Sequence, residues 1–538
     1  MPKRAESKAK GRCAAMETEE KQDNGLTLLD RSRKGITIFS HVGVVLLLLA
    51  VQIVFIIVIA RWFENFFPHY LTISVLLSAV LVVYLINGPI DPTGKITWLV
   101  LIMLLPVFGS LLYVYIQSDI GHRTLAAKFD RMTRQTKREI LQQPVVEERL
   151  ESERPGAAAL VRYLQRSGCF PAYQGTEVTY FPSGEAKFQA LLQELEQAKR
   201  FIFLEYFIIR EGLMWGKILE VLSRKAAQGV DVRVLYDGTC EFSNLPHDYP
   251  KRLAALGIQC RVFSAIQPFV STHYNYRDHR KILVIDGQVA FNGGINLADE
   301  YINHVPRFGY WKDTAVMLRG DAVRSFTLMF LQVWCLDEKA PDFTPYLACT
   351  VPQAAQMGFV IPYGDCPLDS DKVGERVYMD LLNRAQRYVH IMTPYLILDG
   401  ELETALKFAA ERGVEVTLIL PGVPDKKIPY ALAKTYYASL MASGVKILEF
   451  TPGFIHAKSF VVDDTEAVVG TINLDYRSLY HHFECATYLV GTDCIQAIEA
   501  DFQETAALCR PVTRQSLRQE KLTTKLTGVL TKVIAPLL

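Results

Sequence analysis

The pattern of apolar and polar positions changes character near residue 150. Before it, three long apolar runs dominate: Ile36 to Ala60, Tyr70 to Ile86 and Ile96 to Ile116. The first has no charged residue and is long enough to cross a hydrocarbon layer of about 30 Å at about 1.5 Å per residue. It predicts a transmembrane helix, because Arg61-Trp62-Phe63 follows as an interfacial flank where a cleaved leader would end in small residues. The other two runs, separated by Asn87-Gly88-Pro89-Ile90-Asp91-Pro92, predict a membrane hairpin or helix pair. Basic residues flank both ends of the region: Arg31, Arg33 and Lys34 before it, and Arg123, Lys128, Arg131, Arg134, Lys137 and Arg138 after it. Both flanks favour the cytoplasm, whereas three crossings would separate them, so one run is expected to be re-entrant or interfacial. The second run, 17 residues long, is at the short limit for a crossing, and the third carries Pro106 and Gly109, so both are candidates. The region after it is expected to be cytoplasmic.

Beyond residue 150, short β-rich runs alternate with helical stretches, and this pattern occurs twice. AAQGVDVRVLYDG (226–238) matches AAERGVEVTLILPG (409–422), and LAALGIQCRVF (253–263) matches LMASGVKILEF (440–450). Two copies of one α/β unit in tandem follow, each expected to carry right-handed crossovers and a mainly parallel sheet with helices on both faces. The predicted organisation is a disordered tail at 1–35, a membrane region at 36–117 and a basic juxtamembrane helix at 118–154. The first α/β unit follows at 155–337, a linker at 338–357, the second unit at 358–510 and a basic amphipathic segment at 511–538. The stretches 121–143 and 514–538 are read as interfacial helices, since each Lys or Arg beside an anionic bilayer adds about 1 kcal/mol of attraction.

Composition narrows the class of function. The 538 residues are half hydrophobic, with a net charge of +1. That balance lacks the broad basic excess of a nucleic-acid binder. The ten cysteines form no CxxC pair and read as ordinary thiols, neither a zinc site nor a disulfide frame.

The chemistry lies within the duplication. His279-Arg280-Lys281 is followed by Asp286, Gly293 and Asn296; His456-Ala457-Lys458 is followed by Asp463, Gly470 and Asn473. The two histidines are 177 residues apart, as are the two glycines, so the local spacing is identical. His and Lys two apart on a strand face one side, where an imidazole and an ammonium can converge on one phosphate. Asn296 and Asn473, from neighbouring strands, can donate amide hydrogen bonds to its oxygens. A lone HxK string is commonplace; two complete strings at one offset inside a repeat are not.

These strings resemble the paired HKD motifs of the phospholipase D superfamily, over roughly residues 155–538. YRDHRKILVIDG (276–287), GGINLADEY (293–301), GYWKD (309–313), TPYLILD (393–399), PGFIHAK (452–458) and GTINLDYRS (470–478) are similar to bacterial cardiolipin synthases. NGPIDPTGKITW (87–98) and LPVFGSLLYV (105–114) resemble that family's N-terminal membrane region. Superfamily members often carry Ser after the motif glycine, where this chain has Gly294 and Thr471, so the first site is expected to lack a hydroxyl contact to phosphate. The resemblance implies two tandem phospholipase D-like units forming a pseudo-twofold catalytic region behind a helical membrane region. It further implies a bacterial cell-membrane enzyme that transfers a phosphatidyl group between two phosphatidylglycerol molecules. His279, Lys281 and Asp286 with His456, Lys458 and Asp463 would be catalytic, and His279 the nucleophile. Asn296 and Asn473 would bind substrate, and Asp313 and Glu484 would orient the histidines. Asp286 and Asp463 would serve by holding loops or the partner lysines.

Two other readings share these motifs: hydrolysis of phospholipids by the same site, and a catalytically inactive scaffold that binds anionic lipid. Intact His and Lys in both copies oppose the scaffold. No cofactor or metal is required, because two ammonium groups supply positive charge and no carboxylate or Cys/His cluster has ligand spacing. Activity is therefore expected to survive EDTA with a bell-shaped pH profile from the two imidazoles, whereas strict Mg²⁺ dependence with a single-limbed profile would indicate a CDP-alcohol type of transferase.

Overall fold

The computed structural model describes residues 26–28, 52–54, 67–88, 91–117, 120–168, 170–264, 276–348, 354–355, 357–369 and 371–537. But for Leu26–Leu28 of the expected tail and Gln52–Val54 of the first apolar run, both lie outside the described residues. The chain divides into two compact units: one of Met1–Leu28 with Gly121–Val529, the other of Leu29–Ile120 with Leu530–Leu538.

The smaller unit contains three helices, α1 (Phe67–Asn87), α2 (Pro92–Leu104) and α3 (Pro106–Gln117). Asp91 caps α2 by accepting from the amides of Thr93 and Gly94, at 3.0 and 2.9 Å. The third apolar run is not one helix, because Pro106 has no amide to continue α2 and starts a new helix instead. α3 folds back so closely that a Cβ on Gly109 would stand 2.5 Å from the Leu101 carbonyl oxygen. Leu85, Trp98, Ile102 and Tyr113 form the small core. Helices of 13 and 12 residues span only about 20 Å each. Among the described residues, no helix is long and apolar enough to cross a membrane, and the side chains of α1 are described only from Ser74 onward.

The larger unit holds both repeats. The first comprises β1 (Glu177–Phe181), β2 (Phe201–Tyr206), β3 (Asp231–Asp237), β4 (Gln259–Phe263), β5 (Arg277–Asp278), β6 (Lys281–Ile285), β7 (Val289–Gly293), β8 (Tyr310–Lys312) and β9 (Ala315–Arg319). The second comprises β10 (Phe359–Asp365), β11 (Tyr388–Met392), β12 (Glu415–Pro421), β13 (Lys446–Phe450), β14 (Gly453–Ile455), β15 (Ser459–Val462), β16 (Glu466–Gly470), β17 (His482–Val490) and β18 (Cys509–Pro511). The sheet orders are β1-β9-β7-β6-β2-β3-β4 and β10-β17-β16-β15-β11-β12-β13-β18. They correspond strand for strand, with β17 standing for β9 and β18 added at one edge. Helices such as α5 (Leu213–Ala227) and α6 (Gly400–Glu411) make the crossovers, and Gly229 and Gly413 end them at φ +89° and +93°, a conformation that favours glycine.

The sheets are mixed, which corrects the expectation of a mainly parallel sheet. Along these two strand orders β2-β3-β4 and β11-β12-β13 run parallel, whereas β6, β7, β9 and β1 pair antiparallel, as do their counterparts. The cause is local: β6 and β7 are joined by three residues, too few for a crossover.

Residues 121–143 also depart from the interfacial reading. α4 (Ile120–Thr136) buries Phe129 and Met132, and the Phe129 ring lies 4.7 Å from that of Phe483. Its apolar face is thus already covered by protein.

Asp286 and Asp463 sit just past the ends of β6 and β15, at φ +55° and +54°. Asp286 accepts from the amides of Lys199, Arg200 and Phe201 at 2.7–2.9 Å, and Asp463 from those of Gln386, Arg387 and Tyr388 at 2.8 Å. Each clamps the start of the neighbouring strand, β2 or β11. Hydrogen bonds to a charged group contribute about 1.5–3 kcal/mol each, less when they share one acceptor, so Asp286→Ala and Asp463→Ala should each destabilise the unit by about 3 kcal/mol in denaturant titration. Losses under about 1 kcal/mol would remove the clamp from the account.

Candidate active site

The two repeats join by exchanging short strands. β5 pairs in parallel with the start of β17, Arg277 opposite His482 and Asp278 opposite Phe483. β14 pairs in parallel with β8, Gly453 opposite Tyr310 and Ile455 opposite Lys312. Gly453 permits this approach, since a Cβ there would lie 2.1 Å from the Tyr310 carbonyl oxygen.

The exchange fastens each motif histidine to the opposite repeat twice. The His279 amide donates to the Phe483 carbonyl at 2.9 Å, and its Nδ1 lies 2.9 and 3.0 Å from the carboxylate oxygens of Glu484, the next residue. The His456 amide donates to the Lys312 carbonyl at 2.6 Å, and its Nδ1 lies 2.6 Å from Oδ2 of Asp313, again the next residue. Each imidazole is thereby oriented by the other repeat's acid, leaving its Nε2 for a reacting group. The sequence suggested Asp313 and Glu484 but not which histidine each serves; no spacing encodes a contact across 205 or 143 residues.

The acids differ in length, and the residue after each motif glycine accommodates the difference. A Cβ at position 294 would stand 2.1 Å from Asp313 Oδ1, so Gly294 leaves room for the shorter acid. Thr471 instead donates its hydroxyl to Glu484 Oε2. That hydroxyl is committed to the orienting acid, which corrects the expectation that this position contacts phosphate.

Lys281 and Lys458 converge with the histidines, each ammonium donating to the carbonyl of its own motif histidine. Lys458 Nζ is also 2.8 Å from His456 Nδ1. Between His279 and Lys281, Arg280 projects to the other side, where it pairs with Glu205 at 2.6 Å and Asp278 at 3.1 Å. Asn296 lies in the loop after β7; its Oδ1 accepts from the Ile208 amide at 3.0 Å and its Nδ2 donates to the Tyr301 hydroxyl at 2.8 Å. Asn473, after β16, is less committed: its Oδ1 is buried without a hydrogen-bond partner among the described residues, and its Nδ2 reaches Asp475 only at 3.5 Å. Asp286 and Asp463 stand at the far ends of β6 and β15 from these groups, and their oxygens are occupied by backbone amides. Counting them with the reacting groups is therefore corrected; the other motif positions come together.

Sequence reasoning missed two groups. Lys187, fully buried on α5's predecessor helix Gly184–Gln197, donates to the Ile295 carbonyl at 3.2 Å. His482 lies beside His279, ring centroids 5.3 Å apart. Neither belongs to a repeated string, so neither carried a signal.

Burial governs the protonation states. It pushes His279 well below its usual range, against Glu484 and with Lys281. It pushes His456 down to about 4, helped by Lys458 and opposed by Asp313. Burial alone would raise Glu484, but the adjoining His279 holds its carboxyl well below the usual range. Burial lowers Lys281 to about 8 and Lys458 to about 7. Lys281 also depresses both His456 and Lys458, so the two half-sites form one electrostatic unit.

Fold and site together define a phospholipase D-like enzyme built from two tandem α/β units. The cardiolipin synthase PLD-like domain family matches residues 191–305 and 378–506, and the phospholipase D-nuclease N-terminal family matches 76–116. A cardiolipin synthase of Geobacillus sp. is 34% identical over 479 residues, covering 87% of this chain and 94% of its own. An uncharacterized protein of Streptococcus mutans is 57% identical over 457 residues, covering 85% and 99%. The crystal structure of phosphatidylserine synthase from Haemophilus influenzae shares the fold, with a TM-score of 0.53 at 14% identity over 67% of this chain and 95% of that one. The chain belongs to the cardiolipin synthase family.

An anion entering this site supplies the counter-charge that burial has removed. The lysines, lowered to about 8 and about 7, should then regain protons. Calorimetric binding of diethyl phosphate near pH 8, in buffers of different ionisation enthalpy, should show net proton uptake. Heats independent of the buffer would contradict the lowered lysines.

Proposed function

We propose that this chain transfers a phosphatidyl group from one phosphatidylglycerol to the terminal glycerol hydroxyl of another, giving cardiolipin and glycerol. The observation that carries this reading is the reciprocal orientation of His279 by Glu484 and His456 by Asp313. With Nδ1–H of His279 donated to Glu484, the Nε2 lone pair attacks phosphorus and a phosphatidyl-histidine forms. His456 gives a proton to the departing glycerol, then removes one from the acceptor hydroxyl as that oxygen attacks the adduct. The anionic phosphodiester favours the protonated His456 that burial disfavours. Lys281, Lys458 and Asn473 face the charge on the non-bridging oxygens, each contact contributing about 3 kcal/mol in the transition state. Asn296 serves through the loop it ties to Ile208, with one amide hydrogen left for substrate.

The lipid substrate implies a membrane, and two surfaces support that reading. Leu76, Val80, Val83, Ile96, Met103 and Leu104 of α1 and α2 are exposed apolar side chains. The C-terminal helix Leu522–Lys532 exposes Leu522, Leu526 and Val529 among Lys521, Lys525 and Lys532. In this reading both bury their apolar side chains in lipid, α2 and α3 as a folded-back pair rather than a crossing.

With labelled phosphatidylglycerol, His279→Ala and His456→Ala should each lower turnover by about 10⁴-fold or more while leaving the melting midpoint unchanged. Acid-quenched wild type should carry label on His279. Near-normal turnover in either variant would refute the shared site, label on His456 would reverse the roles, and phosphatidic acid as the main product would make the enzyme a hydrolase.

A further inference from the structure

The phosphatidyl-transfer reading leaves one buried group beside the nucleophile unexplained. His482, on β17 two residues before Glu484, is only 8% exposed, and among the described residues neither ring nitrogen has a hydrogen-bond partner. A buried ring with both nitrogens unpaired is destabilising, and a ligand that binds them relieves that penalty. Its Nδ1 points to Glu484 Oε1 at 3.6 Å, too long for a hydrogen bond. Glu484 thus stands between two imidazoles, and one donor atom from each of His279, His482 and Glu484 lies within 4.8 Å of the others.

Two imidazoles and a carboxylate are the donor set of three-ligand zinc sites with a fourth position open. With bonds of about 2.1 Å, tetrahedral ligand atoms stand about 3.4 Å apart. The present separations from Glu484, 2.9 Å to His279 Nδ1 and 3.6 Å to His482 Nδ1, bracket that value. The Thr471 hydroxyl on Glu484 Oε2 holds the carboxylate as an outer-shell partner would. The other half-site has no equivalent: Trp311, two residues before Asp313, occupies the position of His482.

We propose that His279, His482 and Glu484 form an inhibitory site for a divalent transition-metal ion of the zinc type. In the active tautomer, Nδ1 of His279 carries the proton and Nε2 the nucleophilic lone pair. A metal on Nδ1 displaces that proton to solvent, and the neutral ring then carries a proton taken up from solvent on Nε2. One proton leaves and one returns, the Nε2 lone pair is consumed, and attack on phosphorus stops. Lys281 opposes the dication from beside His279, so the site is of regulatory rather than structural affinity. The inhibition rests on the nucleophilic role of His279; the binding does not.

The test uses the full chain in detergent micelles, stripped with chelator and titrated with Zn²⁺ against a chromophoric chelator, and separately with Co²⁺. Wild type should take up one Zn²⁺ per chain, show the intense visible bands of four-coordinate Co²⁺, and lose transfer activity reversibly. His482→Asn and His482→Gln should keep metal-free turnover and melting midpoint, while Zn²⁺ affinity and inhibition weaken together by at least about tenfold. Absence of stoichiometric binding in wild type, or equal zinc binding and inhibition in both variants, would overturn the site. Intact zinc binding in a protein that makes no cardiolipin would leave the site standing and remove the proposed function instead.

Discussion

The structure depends on one reciprocal arrangement: each repeat supplies a histidine and the other repeat supplies the acid that orients it. A free imidazole on a loop can rotate and exchange tautomers. Here the backbone amide of each histidine is paired with a carbonyl of the opposite repeat, and Nδ1 with the carboxylate one residue further on. The short parallel pairings β5–β17 and β14–β8 set that register. Neither half is therefore a complete site. Separation of the repeats would unpair two buried carboxylates, along with the Lys312–Asp501 ion pair at 2.6 Å, which costs far more than loss of exposed pairs.

The second constraint is dryness. Two lysines and two histidines share a buried space, and burial lowers all four. Charge is most weakly supported there when the site is empty and best supported when an anion fills it. In the proposed reaction the same property strengthens every contact to the developing charge. The asymmetry between Gly294 with Asp313 and Thr471 with Glu484 shows that the halves reached one geometry with different side chains.

Much of this was legible in the sequence, and the remainder was hidden for identifiable reasons. The repeated His, Lys and Asn spacing is local, so a strand period suffices to bring those groups together. The partner of each histidine is not local, and Asp313 and Glu484 are indistinguishable as string features. Asp286 and Asp463 belong to the motif yet act on the fold, because a carboxylate after a strand can serve either backbone amides or substrate. The mixed sheet follows from a connection of three residues between β6 and β7, a length that was available and outweighs the α/β alternation read on either side. The break at Pro106 was visible, whereas the burial of α4 was not, since an amphipathic helix covers lipid or protein equally well.

The reciprocal arrangement is tested most directly by the Nδ1 proton of His279, whose low-field NMR resonance is assigned by its loss in His279→Gln. That resonance should disappear in Glu484→Ala and persist in Asp313→Ala, with the His456 resonance behaving in the opposite sense. Loss of the His279 signal in Asp313→Ala but not in Glu484→Ala would contradict orientation across the repeats.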